Sequence, residues 1–320
     1  MTRALAILLA ALALIALAGP WLAPYPPDVQ HRAFLYAPPM RPRVVHNGGL
    51  HAPFVYPVAM VDRLRQRYEE DHSRRQSLPW FGSRDESPVF LLGADSLGRD
   101  LLSRVLHGAR ISMSVALVAT ACALLLGTLL GGIAGYRGGA TDEVVMRLAD
   151  LIAVLPVIYI VLILRASLPL VLAPSTIFLV MTAIFAAVGW PFVARGVRNI
   201  ITSEREREYV MASRALGASG SMILWRHLLP ACGGYLMVQA TVLLPAFILA
   251  EATLSFVGLG FPEEMASWGT MLTEAAKVNE MIRFPWMLAP AFAIFLVVFS
   301  ANAILQSSKI GGQSPVSSRQ

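Results

Sequence analysis

Arg110-Ile-Ser-Met-Ser-Val-Ala-Leu-Val-Ala-Thr-Ala-Cys-Ala-Leu-Leu-Leu-Gly-Thr-Leu-Leu-Gly-Gly-Ile-Ala-Gly-Tyr136 is the stretch on which the fold turns. Between Arg110 and Arg137 it holds no charged side chain. A helix rises about 1.5 Å per residue, so such a run crosses about 30 Å of hydrocarbon. Further apolar runs lie at 4–23, 144–164, 171–194, 234–257 and 284–306, which makes six. The chain has 320 residues, enough for about two soluble domains by length alone. Six long apolar runs cannot all fold into a water-facing core. Composition agrees: 56% of residues are hydrophobic and 14% charged, against about 25% charged in soluble domains. The expected fold is all-α and polytopic, with six transmembrane helices.

Net charge is +6, nearly all of it arginine, since Lys277 and Lys309 are the two lysines among 26 basic residues. A basic chain can signal nucleic acid. Here no basic patch is interleaved with aromatics, and the charges fill the gaps between apolar runs, as cytoplasmic loops require. No nucleic-acid partner is expected. Cys122 and Cys232 lie in or beside apolar runs and read as small buried hydrophobes. No His/Cys cluster has ligand spacing, so no metal site is expected.

The polar segments set the topology. Residues 1–23 read as a retained N-terminal helix, although Ala16-Leu17-Ala18 resembles a cleavage site. Residues 24–105 hold Pro24, Pro26, Pro27, Pro38, Pro39, Pro42, Pro53 and Pro57 and a charge-dense stretch from Arg63 to Arg75. We expect loops, short strands and one short helix around 58–72. This segment has eleven arginines, but the positive-inside bias is counted over loops shorter than about 60 residues. Residues 195–232 are short enough for the bias, with six arginines and three glutamates. They are expected in the cytoplasm. Counting back places the N-terminus inside and 24–105 outside as an extracytoplasmic insertion. A five-helix domain then spans 106–306, and the tail 307–320 is cytoplasmic.

Within the cytoplasmic segment, Glu208 to Leu216 is a good helix former. Gly217 ends that helix by admitting a left-handed residue. Ser219 or Ser221 can cap a second helix bearing Met222, Ile223, Leu224 and Trp225. The product is a helix, a tight turn and a helix with apolar side chains on display. Exposed apolar groups of this kind mark a partner site or a face lying on lipid headgroups.

This segment resembles the loop that permeases of ATP-binding-cassette importers insert into their ATPase subunits. Its common form is Glu-Ala-Ala, three residues, Gly, nine residues, Ile-x-Leu-Pro. Gly217 and Leu229-Pro230 match, while Met211-Ala212-Ser213 stands at the Glu-Ala-Ala positions and Glu208 lies a turn earlier. The resemblance implies an ATPase-coupling role for Glu208, Met211, Ala212, Ser213, Arg214, Leu216, Gly217, Ala218, Ile223, Leu229 and Pro230. Leu92-Gly-Ala-Asp-Ser-Leu-Gly-Arg-Asp100, continuing to Ser112, is similar to the entry of the second span in peptide- and nickel-type permeases. Glu251-Ala-Thr-Leu-Ser-Phe-Val-Gly-Leu-Gly260 with Ser267-Trp268-Gly269 is similar to their fifth span and following loop. The family is that of the C-type dipeptide and oligopeptide permeases. It implies an inner-membrane subunit paired with a second permease, two ATP-binding subunits and an extracytoplasmic binding protein. Peptides lead as substrate, and nickel chelates, opines and short sugars are carried by relatives.

The chain contains no Gly-x-x-x-x-Gly-Lys-Ser/Thr loop. ATP is therefore expected to be used by partner subunits, with no cofactor and no enzyme activity in this chain. Glu251 lies in or near the end of a span, where burying an unpaired carboxylate is costly. It is a translocation or gating candidate, or an anchor for the following loop. Asp95, Arg99 and Asp100 precede the second span and read as either binding-protein docking residues or a cap with ion pairs. Asp142, Glu143 and Asp150 are expected to be solvated or paired with Arg137 and Arg147, and Arg165 to snorkel. Gly127 and Gly131 form a small-xxx-small pair that permits close helix approach, against the simple frequency of glycine in membrane helices. Aromatics Phe54, Tyr56, Tyr68, Trp80 and Phe81 in the insertion suit contact with a binding protein or a lid on the partner permease. An ion-driven secondary transporter would show paired repeats and matching intramembrane charges, and no repeat is visible. A membrane-embedded enzyme needs convergent polar residues in the spans, and an exporter departs from the importer motifs.

Overall fold

A computed structural model of the chain describes residues 14, 18–46, 49–63, 65–78, 80, 87–154, 156, 159, 163 and 173–310. Five strands come first: β1 (Arg43–His46), β2 (Gly49–Val55), β3 (Val58–Asp62), β4 (Arg67–Glu70) and β5 (Gln76–Ser77). The helices follow: α1 (Leu101–Arg137), α2 (Gly139–Val154), α3 (Pro174–Glu204), α4 (Glu208–Ala215), α5 (Gly220–Ile223), α6 (Leu229–Ala231), α7 (Gly233–Phe256), α8 (Trp268–Ala275), α9 (Val278–Arg283) and α10 (Ala289–Ile310). Among the described residues four segments are long and apolar enough to cross a membrane: Leu101–Arg137, Pro174–Glu204, Gly233–Phe256 and Pro285–Ala303. They correspond to four of the six apolar runs. The run at 4–23 lies mostly outside the described residues. Of the run at 144–164, α2 covers the first part and most of the remainder lies outside them, as does Arg165.

The chain divides into two compact units. In the first, whose described residues fall within 115–251 and 297–310, α1 packs on α3 through glycines. A Cβ on Gly127 would meet the Trp190 carbonyl at 2.9 Å, and one on Gly131 would meet Ala194 Cα at 2.8 Å. One on Gly135 would meet the Arg198 carbonyl at 2.7 Å. Such distances belong to a helix interface in which backbone touches backbone, which small residues permit. Trp190 and Ala194 of α3 bury against Ala149 of α2. Phe185 stacks on Phe247 of α7 with ring centroids 5.4 Å apart.

Charge pairing between α2 and α3 differs from expectation. Glu143 does pair with Arg147 one turn on. Asp142, however, takes Arg198, with Nε donating at 2.9 Å, and Asp150 takes Arg195 at 2.7 Å. Helix packing brings these arginines to the acids from across the sequence. The Arg198 hydrogen bond holds the Asp142 carboxyl below its ordinary range.

In the second unit, Ala11–Ser114 with Ala252–Leu296, β2 pairs antiparallel with both β1 and β5, and β3 pairs with β4. The short helix expected around 58–72 is instead the β3–β4 hairpin. Gln66 takes φ 50° at its turn, a conformation no helix interior contains. Val58 turns inward to join Ala37, Met40, Val55, Leu78, Val89, Phe90 and Ala94 in one core. Tyr68 donates its hydroxyl to the Leu35 carbonyl at 2.7 Å. A second core gathers Tyr36, Leu101, Met271, Ala275, Phe284 and Met287. Ser267 opens α8 with a reciprocal cap to Thr270, and Trp268 is fixed by its indole N–H donating to the Val105 carbonyl at 3.0 Å.

Candidate coupling site

The polar loop after α3 is almost entirely helical. Arg205 caps α3 with its amide on the Ile201 carbonyl. α4 begins at Glu208, whose carboxylate sits in the first turn, where the helix dipole favours it. α4 ends at Gly217, which takes φ +83°. Amides of Gly217 and Ala218 return to the Arg214 and Ser213 carbonyls at 2.9 and 3.1 Å. This is the left-handed C-cap that glycine permits. Ser219 then caps α5, its hydroxyl accepting from the Met222 amide at 3.4 Å. A π turn over Leu224–Leu228 leads through α6 into α7. Helix, tight turn and helix therefore follow the expected sequence positions.

The apolar side chains sort by face. Leu216 at the turn is 88% exposed and Trp225 61% exposed. Tyr209, Met211 and Met222 are exposed with them, as are Glu208, Ala212, Arg214 and Pro230. Ser213 is half-buried, its hydroxyl donating to the Tyr209 carbonyl at 2.8 Å. Ala218 and Leu229 are half-buried, and Leu229 reaches the face of Gly132 on α1. The display expected of Met222, Ile223, Leu224 and Trp225 is corrected: Ile223 is fully buried and Leu224 half-buried. Met222 and Trp225, three residues apart, share the outer face of the turn, and Ile223 and Leu224 between them turn inward. Sequence reading missed Tyr136, and counted Arg205 only among the six arginines of the segment. Tyr136 lies under Arg214, whose guanidinium carbon is 5.6 Å from its ring centroid. Arg205 donates to the Gly135 carbonyl at 3.2 Å. A single aromatic at the end of a span has no distinguishing local pattern.

Glu251 is fully buried in the last two turns of α7 and has an interaction partner. Asp95, Arg99 and Asp100 are also buried, with Arg99 lining an open cavity beside Glu263, Glu264 and Lys277. They form a cap-and-ion-pair arrangement. Asp95 accepts from Arg99 Nε at 2.6 Å and from Arg104 Nη1, while Glu274 accepts from Arg99 Nη2 at 2.6 Å and Arg104 Nη1 at 3.1 Å. Asp100 caps α1, accepting from the Ser103 amide at 2.8 Å and its hydroxyl at 2.6 Å.

Burial pushes the Asp100 carboxyl up to about 6, against the lowering effect of the Ser103 hydrogen bonds. Its folded value lies above the ordinary 3.8. The fold therefore prefers the neutral acid, and this contribution is complete below about pH 4 and lost as pH rises through about 6. Asp100→Asn keeps a cap acceptor. It is expected to flatten the stability profile across that window and leave stability at pH 7 equal or higher. Thermal unfolding at the two ends of the window checks this, and an unchanged slope refutes it.

Among the described residues no group of three or more His, Cys, Asp or Glu side chains could hold a metal ion, and Cys122 and Cys232 are free thiols.

A helical chain with several apolar spans and a structured loop bearing exposed apolar groups has the form of a polytopic membrane transport component. Residues 127–308 match the family described as binding-protein-dependent transport system inner membrane component. The chain is 39% identical to the oligopeptide transport system permease protein OppC of Bacillus subtilis, over 66% of this chain and 67% of that protein. It is 34% identical to the dipeptide transport system permease protein DppC of B. subtilis, over 79% and 72%. The di/tripeptide permease protein DppC of Pseudomonas aeruginosa is 34% identical over 90% and 79%. The solved inward-facing MetNI methionine ABC transporter resembles 63% of this chain and 95% of its own, at 20% identity and TM-score 0.45. The chain belongs to the binding-protein-dependent inner membrane component family and is a permease subunit of an ATP-binding-cassette importer.

Proposed function

We propose that this permease carries peptides or similar small solutes, and that the loop 208–230 is where an ATP-binding subunit docks. Peptide cargo is supported by the names of the relatives, which are oligopeptide, dipeptide and di/tripeptide permeases. The working assembly is this chain, a second permease, two ATP-binding subunits and an extracytoplasmic binding protein. ATP is used by the partner subunits, and this chain hydrolyses none. Six spans place both termini in the cytoplasm and 24–105 outside. ATP binding closes the ATPase pair, and the docked loop converts closure into rigid-body helix motion that alternates access. Glu251, buried near the end of α7, is the carboxylate placed to respond to that motion.

The observation that carries the docking reading is the exposure of four large apolar side chains on one short loop, Met211, Leu216, Met222 and Trp225, with Leu216 88% exposed. Large side chains at that level of exposure mark an interface. Leu216→Glu and Trp225→Glu place a charge in the contact at exposed positions. Each is expected to reduce recovery of ATP-binding subunits with the affinity-purified permease by about tenfold, the loss typical of one interface anchor. The permease itself should remain in the membrane at wild-type level. Full retention of those subunits by both variants would sink the docking reading.

A further inference from the structure

We propose that Tyr136, at the end of α1, is a positioning residue that seats the 208–230 loop and carries its movement into α1; this rests on the coupling reading above. Three separate parts of the loop region meet at this one side chain and its backbone. Before the loop, Arg205 Nη1 donates to the carbonyls of Gly135 at 3.2 Å and Tyr136 at 3.4 Å. On α4, the Arg214 guanidinium lies 5.6 Å from the ring centroid, within cation–π range. At the start of α5, Gly220 is so close that a Cβ there would fall 2.6 Å from the Tyr136 hydroxyl oxygen and 3.2 Å from the ring edge.

The contact is closed from the far side as well. One turn back on α1, a Cβ on Gly132 would lie 3.2 Å from Leu229 Cδ2, so the returning limb of the loop also rests on this helix end. Close-packed contacts of this kind transmit displacement, because no slack absorbs it. The half-buried ring is clamped between a cation on one helix and the backbone of the next. When a docked partner moves α4 and α5, Tyr136 and the end of α1 must follow.

The test uses the transporter complex purified with its ATP-binding subunits and needs no knowledge of the cargo. Spin labels are placed singly at Ala215, exposed on α4, and at Leu125, exposed on α1. Trapping the complex with ATP is expected to change the mobility of both labels in the wild type. In Tyr136→Ala the Ala215 label should still respond, while the Leu125 response falls roughly fivefold, a size typical of substitutions along a coupling path. Tyr136→Phe, which keeps the ring, should retain it. Gly220→Ala should damage the Leu125 response by displacing the ring, and Gly220→Ala combined with Tyr136→Phe should restore it, because the added methyl strikes the hydroxyl first. That pair carries the test even where Tyr136→Ala fails to assemble. An undiminished Leu125 response in Tyr136→Ala, or no rescue by Tyr136→Phe, overturns the role of Tyr136. An Ala215 label that ignores ATP in the wild type overturns the coupling reading, and this proposal with it.

Discussion

Asp95→Ala is expected to deplete the folded protein more than any other single substitution considered above. Asp95 is fully buried, and both its oxygens are committed. Oδ1 accepts from the amides of Leu97 and Arg99 at 2.9 Å each, and Oδ2 accepts from the Arg99 and Arg104 side chains. Arg104 is 1% exposed, and its Nε and Nη2 have no hydrogen-bond partner among the described residues. With Asp95 gone, two guanidinium groups share the Glu274 carboxylate inside the protein. Removing one member of a buried ion pair costs about 3–5 kcal/mol, because the remaining charge is left uncompensated. Native stability is about 5–15 kcal/mol, so the loss takes a large share of it. Asp95→Asn keeps an oxygen for the two amides and should lose less. Glu274→Gln should lose least of the three, since that side chain is 12% exposed and water can replace part of its contact. The check is the fraction of detergent-solubilised chain that elutes as a single sharp species, together with its unfolding temperature. An Asp95→Ala protein as stable as wild type would mean that the network contributes no net stability.

The same network marks where sequence reading stops. Asp95, Arg99 and Asp100 were visible as a charged group ahead of a span, and the cap-and-ion-pair alternative describes the arrangement found. Glu274 was not visible, because it joins from 170 residues beyond Arg104 and no periodicity links positions so distant. Asp142 and Asp150 fail for the same reason: local charges offered Arg137 and Arg147, and packing supplied Arg198 and Arg195. The membrane helices were legible because a long uncharged run has few other ways to satisfy its backbone in lipid. The turn after α4 is legible because Gly217 and Ser219 act locally, through a left-handed residue and a side-chain cap. The β3–β4 hairpin was hidden by charge. Asp62, Arg67, Glu69 and Glu70 look like a solvated helix face, and the turn at Gln66 that forbids a helix carries no glycine or proline to announce it. Burial of Ile223 beside exposed Met222 shows the limit within the loop itself. The run is legible as helical and apolar, but which side chains turn inward is set by tertiary packing, as where Leu224 Cδ1 lies 3.9 Å from a Cβ position on Gly132 of α1.

Gly131→Ala is expected to force α1 and α3 apart, and the reason lies in what the new methyl would strike. On Gly131 the three nearest atoms to a Cβ all belong to the Ala194 backbone, with Cα at 2.8 Å. A flexible side chain can swing away from an added atom, but a helix backbone moves only as a body. Overpacking of this kind costs about 1–3 kcal/mol, and Gly131→Leu should cost more. Because Gly127 and Gly135 hold the same interface one turn to either side, moving α3 off Gly131 also loosens those contacts and the Trp190–Ala149 cluster behind them. Substitutions at the three glycines should therefore not add independently. Gly234→Ala in α7 is the matched comparison, since among the described residues nothing beyond its own stretch of helix lies within 4 Å of its Cβ position. Replacing a helical glycine in open space is expected to be neutral or to stabilise by about 0.5–1 kcal/mol. Unfolding temperatures of the two alanine variants should thus move in opposite directions, or at least differ clearly. Equal shifts would show that the effect belongs to glycine in a helix, and that the α1–α3 interface does not depend on backbone contact at Gly131.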